Sequence, residues 1–147
     1  MADKNQFQIM LVAGEPSGDL HAADLLQELN LRESRSELNF TSYGMGGERM
    51  RQQGFTSIVG IEQMAVMGIV EILKHFPTLY RVLQQMRALL KTRRPDLLIL
   101  VDYPGFNLLL AKSAKKLGIK VLYYISPKVW VWREGRVNKL AKWVDHI

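Results

Sequence analysis

The stretch FQIMLVAGEPSGD, residues 7–19, decides the fold. Phe7 to Ala13 is an unbroken apolar run with the length and make-up of a buried strand. Gly14-Glu15-Pro16-Ser17-Gly18-Asp19 then concentrates turn-forming residues, and behind it Ala22, Leu25, Leu26 and Leu29 recur at three- and four-residue spacing. Strand, tight loop and helix follow one another in a single unit, and the rest of the chain repeats the alternation.

Leu38 to Tyr43 reads as a second strand ending at Gly44; Gly46-Gly47-Glu48-Arg49-Met50 opens a short helix that stops near Gly54, and Phe55 to Val59 is a weaker third strand. Met64 to Phe76 is apolar with few turn signals. Pro77 then starts a helix whose stripe is Leu79, Val82, Leu83, Met86, Leu89 and Leu90. Asp96 to Val101 (DLLILV) is a strand of the kind covered on both faces, broken by Asp102-Tyr103-Pro104-Gly105. The next helix is expected to bury Phe106, Leu109, Leu110, Ala114 and Leu117, to wet Lys112, Lys115 and Lys116, and to end at Gly118. Lys120 to Ile125 is a further strand, Ser126-Pro127 breaks it, and a basic helix runs from about Arg133 to Lys142. Residues 143–147 read as the entry to one more strand. This alternation predicts an α/β domain: a doubly wound, mostly parallel Rossmann-like sheet with helices on both faces. In such sheets ligands bind outside the carboxyl ends of strands, which here carry Gly14–Asp19, Gly44–Gly47, Asp102–Asn107 and Ser126–Trp130.

With 147 residues, 48% of them hydrophobic and 23% charged, the chain has material for one compact domain. It contains no cysteine, which excludes disulfides, a thiol nucleophile, a Cys-based zinc site and an iron–sulfur cluster. His21, His75 and His146 lack metal-ligand spacing, so no metal site is expected. Lys and Arg number 20 against 14 acids, and a net charge of +6 favours an anionic partner. Nucleic acid does not fit, because no basic stripe is interleaved with aromatics and no recognition motif occurs. The N-terminus lacks the form of a secretory signal, and no apolar run approaches the ~20 residues of a membrane span, so a soluble or peripherally bound protein is expected.

Gly14 to Gly18 matches neither the dinucleotide fingerprint nor a P-loop, and Ser17 is not in a nucleophile elbow. Ser17 or Asp19 suits the N-cap of the first helix, although the loop offers more polar groups than a cap requires. Asp102, directly after the most apolar strand, is partly desolvated there; by position alone it reads equally as a general base for a sugar hydroxyl or as a helix cap. Trp130 and Trp132 lie in one loop, where they either meet a ligand or close the core, and Arg133 is the obvious anion contact. Met64 to Leu83 holds more apolar surface than one helical face needs. A core helix explains much of it; the excess, flanked by Lys74, His75, Arg81 and Arg87, also fits a surface that dips into anionic lipid.

Five motifs in order, Val12 to Asp19, Gly44-Met45-Gly46-Gly47 with Met50, Ala65-Val66-Met67-Gly68 with Glu71, Val101 to Asn107, and Tyr124 to Arg133, together closely resemble the lipid-A-disaccharide synthase family. The resemblance covers nearly the whole chain. It implies one half of an inverting GT-B glycosyltransferase: residues 1–147 as the acceptor-side Rossmann-like domain, with the domain that holds the donor nucleotide absent from this chain. It further implies that UDP-2,3-diacylglucosamine and 2,3-diacylglucosamine 1-phosphate (lipid X) are joined with release of UDP, without a cofactor, by a cytoplasmic enzyme bound peripherally to the anionic inner membrane. Asp102 matches the essential aspartate and is assigned as general base. Glu15, Ser17, Gly18 and Asp19 match the first cleft-facing loop, and Asn107, Ser126, Trp130 and Arg133 match other substrate-binding positions. Val66, Met67, Ile69, Val70, Leu73 and Phe76 match the segment that meets membrane and acyl chains. Two positions depart from the pattern: Gly105 stands where an acid is common, which concentrates the base assignment on Asp102, and Lys128 stands where a small polar residue is common.

Overall fold

The computed structural model describes residues 6–35, 39–64, 76–125 and 134–147. Five strands, β1 (Gln6–Ala13), β2 (Asn39–Gly46), β3 (Thr56–Gly60), β4 (Leu97–Val101) and β5 (Lys120–Tyr124), form one sheet in the order β3-β2-β1-β4-β5, every pair parallel. Among the described residues, five α-helices connect or follow them, α1 (Pro16–Glu33), α2 (Glu48–Arg51), α3 (Phe76–Arg93), α4 (Pro104–Lys116) and α5 (Glu134–Trp143), with a short 3-10 turn at Ile61–Gln63. The chain winds outward from β1 to β3, returns to β4 and winds out the other way, which is the doubly wound arrangement expected from the alternation.

The apolar run of β1 feeds two cores because successive side chains leave a strand on opposite faces. Met10 and Val12 join Met86 and Leu90 of α3, Leu110 and Ala114 of α4 and Tyr123 of β5 on one side. Ile9, Leu11 and Ala13 join Ala22, Ala23 and Leu26 of α1 and Met50 of α2 on the other. β2 runs on through Gly46, past the end its sequence suggests, because Gly44 serves close backbone approach and Gly46 leaves room for the side chains of Met50 and Phe55. Gly44 lies opposite Leu11 at φ 140°, and a side chain there would land on the Leu11 carbonyl oxygen.

The buried face of α4 differs from the expected stripe. Leu109 is 45% exposed, whereas Asn107, Leu108, Leu110, Ala111 and Ala114 are buried. Packing against β4 and β5 selects the 107, 110, 111, 114 row, and Leu109 turns toward the groove that α4 shares with α3. The C-terminal residues do enter a further strand position: His146 bridges Leu122 in parallel, with Tyr123 N donating to its carbonyl at 2.8 Å. Asp145 secures that segment by accepting the Val121 amide at 2.9 Å and Lys115 Nζ at 2.8 Å. These bonds, the Lys115 bond first, hold the Asp145 carboxyl below its ordinary range. Its folded value being the lower, its contribution is complete above the ordinary carboxylate range and is lost as pH falls through the folded value. We expect the Val121 amide resonance to move on acidification in this chain and to stay put in Asp145→Asn.

Candidate functional site

β1 and β4 are neighbours that lead in opposite topological directions, so the crevice of the doubly wound sheet opens where they end. Their register pairs Ala13 with Val101 and brings Gly14 and Asp102 out side by side. A side chain at Gly14 would come within 2.9 Å of the Tyr103 ring, so only glycine lets the two loops touch. Gly18 is buried over Ala13 and Val101, which allows the start of α1 to lie close on both strands.

Asp102 and Tyr103 both take left-handed backbone conformations, at φ 48° and 44°, and Pro104 then starts α4. Two consecutive non-glycine residues in that region carry strain, which clusters at functional sites. The Asp102 carbonyl is held from inside: Asn107 Nδ2 donates to it at 2.7 Å and to the Val101 carbonyl at 3.2 Å, and Tyr123 Oη donates to it as well. Asn107 and Tyr123 are fully buried. Burial, then the nearby Asp102 charge, pushes the Tyr123 phenol well up from its ordinary value.

Glu15 occupies the N-cap position of α1 without a side-chain capping bond. Its carboxyl is pushed up first by burial and second by the negative charge of Asp102, so it keeps its proton to higher pH than an exposed glutamate. Ser17 is exposed in the first turn of α1. Neither Ser17 nor Asp19 caps that helix. Asp19 reaches across to α2 instead, its carboxylate accepting the amides of Gly47 at 2.8 Å, Arg49 at 3.2 Å and Met50 at 3.2 Å. The capping chemistry read from the sequence is therefore present but serves another helix, because α1 starts earlier, at Pro16, and carries Asp19 inside its first turn. Asp19 is 4% exposed, so Asp19→Ala would strip a buried helix end of its acceptors. We expect a loss of roughly 1.5–3 kcal/mol in urea denaturation; no measurable loss would show that solvent replaces the carboxylate.

Beside these loops an apolar cleft of about 670 Å³ opens between α3 and α4. Glu15, Tyr103 and Gly105 line it together with Phe76, Tyr80, Leu83, Phe106 and Leu109. Phe76 and Tyr80 are 63% and 54% exposed. Arg87 and Leu109 also border an adjoining groove lined by Lys91, Lys112 and Lys116. The sequence had pointed to Phe76, Leu79, Tyr80 and Leu83 within its excess apolar stretch and to Arg87 at its flank, but had placed Leu109 on a buried face rather than in a cleft. Tyr123 was also missed at the site; the signal available was a tyrosine at a core-facing position of a strand, whose hydroxyl must find a partner. Ser126, Trp130 and Arg133, and Val66, Met67, Ile69, Val70 and Leu73, lie outside the described residues. Among the described residues, no helix is long and apolar enough to cross a membrane.

The family described as lipid-A-disaccharide synthetase matches residues 9–147. A lipid-A-disaccharide synthase of Geobacter metallireducens is 49% identical over 140 residues, which is 95% of this chain and 35% of that protein. Its counterpart in Coxiella burnetii strain Dugway 5J108-111 is 48% identical over 139 residues, 95% of this chain and 36% of the relative. The chain thus spans about a third of the length of these curated relatives. Among solved structures, a UDP-N-acetylglucosamine 2-epimerase superposes with a TM-score of 0.59 at 16% identity, over 97% of this chain and 41% of that one. The Neisseria meningitidis UDP-GlcNAc 2-epimerase, bound to UDP-GlcNAc, gives 0.56 at 9% identity, over 97% and 39%. These likenesses establish the fold shared with them.

Proposed function

The chain belongs to the lipid-A-disaccharide synthetase family, and from that premise we propose that it is an acceptor-side portion of a GT-B glycosyltransferase. The reaction is transfer of 2,3-diacylglucosamine from its UDP conjugate to the 6-hydroxyl of lipid X, with inversion and release of UDP. The observation that carries this reading is the placement of Asp102: a half-buried carboxylate at the crevice of the sheet, directly before the residues that line an apolar cleft. Asp102 takes the proton of the attacking hydroxyl. Glu15 and Ser17 contact the acceptor at the first loop, Gly18 supports that loop, and Asp19 acts through the α2 end it caps. Asn107 acts from beneath Asp102, while Ser126, Trp130 and Arg133 complete the binding surface.

The cleft between α3 and α4 has the chemistry of an acyl-chain groove, and the cations of the adjoining groove suit an anionic lipid surface. Together with Val66, Met67, Ile69, Val70, Leu73 and Phe76 they would hold the protein peripherally on the cytoplasmic face of the inner membrane. The donor nucleotide is bound by the part of such an enzyme that this chain does not span, in keeping with the third of the relatives' length that it covers.

The 147-residue chain alone should form no disaccharide, and should sediment with anionic vesicles more than with neutral ones. Joined to the part of the Geobacter metallireducens synthase that lies beyond its match, it should release UDP from both substrates. Disaccharide formation by the chain alone would overturn the division of labour, and an inactive joined enzyme would count against the transferase reading. Replacing Lys91 and Lys116 by alanine removes two cations from the groove and should weaken anionic-vesicle binding roughly 30-fold, at about 1 kcal/mol per charge.

A further inference from the structure

We propose that Tyr123 and Asn107 are positioning residues that fix the direction of the Asp102 carboxylate by clamping the Asp102 carbonyl oxygen inside the core, a role that rests on the reading of Asp102 as the base. The Asp102 carbonyl does not accept a bond from the α4 ladder; the first amide of α4 to be satisfied there, that of Asn107, goes to Tyr103 O at 3.1 Å. The two donors that Asp102 O receives instead come from side chains with no exposed surface, one on α4 and one on β5. A carbonyl has two lone pairs, and these donors occupy both. Holding that oxygen fixes the peptide plane between Asp102 and Tyr103, hence ψ of one residue and φ of the next. Both residues sit in the left-handed region, from which an unclamped non-glycine turn would relax.

The clamp therefore stores a conformation that local sequence does not favour and turns it to use at the end of β4. Tyr123 is suited to this because its ring is packed in the core while its hydroxyl is the only polar atom it carries inward. Removing that hydroxyl leaves packing intact and frees one side of the carbonyl. A displacement of the carboxylate by a fraction of its own length is enough to impair proton transfer.

The test has two arms. In the 147-residue chain, nuclear Overhauser spectra should show strong intraresidue amide-to-Hα contacts at Asp102 and Tyr103, the mark of a left-handed φ, and Tyr123→Phe should weaken them while the rest of the spectrum stays in place. In the joined enzyme, Tyr123→Phe should lower kcat roughly tenfold or more with KM nearly unchanged. In an Asp102→Asn background the same substitution should cost nothing further, because its effect passes through that carboxylate. Unchanged contacts in the variant, or losses that simply add, would overturn the clamp. If Asp102→Asn itself retains turnover, the base assignment fails while the spectra still judge the clamp. Should Tyr123→Phe not fold, Asn107→Ser removes the other donor and supports the same readings.

Discussion

Asp102→Ala, placed in the joined enzyme, is expected to lower turnover roughly 100- to 10,000-fold, the range over which a positioned general base contributes. The fold should survive, since the side chain is half-buried and it is the backbone carbonyl, not the carboxylate, that Asn107 and Tyr123 hold. UDP release at saturating substrate measures the effect, and a thermal melt of the same preparation checks the fold. Near-normal turnover would remove Asp102 from the base role. The substitution also has a signature independent of catalysis. Glu15 is pushed up by burial first and by the Asp102 charge second, so without that charge its carboxyl should titrate nearer to, yet still above, its ordinary value. A carbon-detected titration of Glu15 in the 147-residue chain would read this directly, and an unmoved midpoint would mean the two groups do not sense each other.

Gly44→Ala should be among the most destabilising single substitutions available in the sheet, at about 3–5 kcal/mol or more. Two effects combine at this position. The backbone stands at φ 140°, a region that side chains disfavour, and a methyl group would strike the carbonyl oxygen of Leu11 in the neighbouring central strand. Backbone atoms within a paired ladder cannot yield as a flexible side chain can. Against a total of about 5–15 kcal/mol for a domain, that loss leaves little margin. Gly118 supplies the control: it too has a positive φ, 72°, but nothing lies within 4 Å of an added methyl. Gly118→Ala should therefore show strain alone, about 1–2 kcal/mol. Urea midpoints for the two variants decide the matter, and equal losses would mean that the strand interior relaxes around the methyl.

How far the sequence discloses these features depends on how local their causes are. Phe7 to Ala13 and Asp96 to Val101 declare themselves as central strands because continuous apolar runs flanked by turn residues have few other uses, and the outward-and-back winding follows from the alternation. The face of α4 was not legible. Leu109 and Asn107 exchange the positions their polarity suggests, since the buried row is chosen by contact with β4 and β5, and the exposed leucine is wanted by a cleft. Asp102 was legible only through family likeness, as its position alone left cap and base equal. Its left-handed conformation leaves no trace in the local sequence, because the groups that impose it include Tyr123, on a different strand. Asp19 was recognisable as a capping residue, but its partner lies 28 residues away and is set by the pairing of β1 with β2.

That last bond orders events during folding. A helix as short as α2, four residues, cannot persist in water, where even much longer isolated helices are marginal. Its amide ends are satisfied by Asp19, which reaches them only once β2 has docked beside β1 and α1 has formed over the pair. α2 is thus a late arrival, contingent on a long-range pairing. Substitutions within it should accelerate unfolding and leave the folding rate almost untouched.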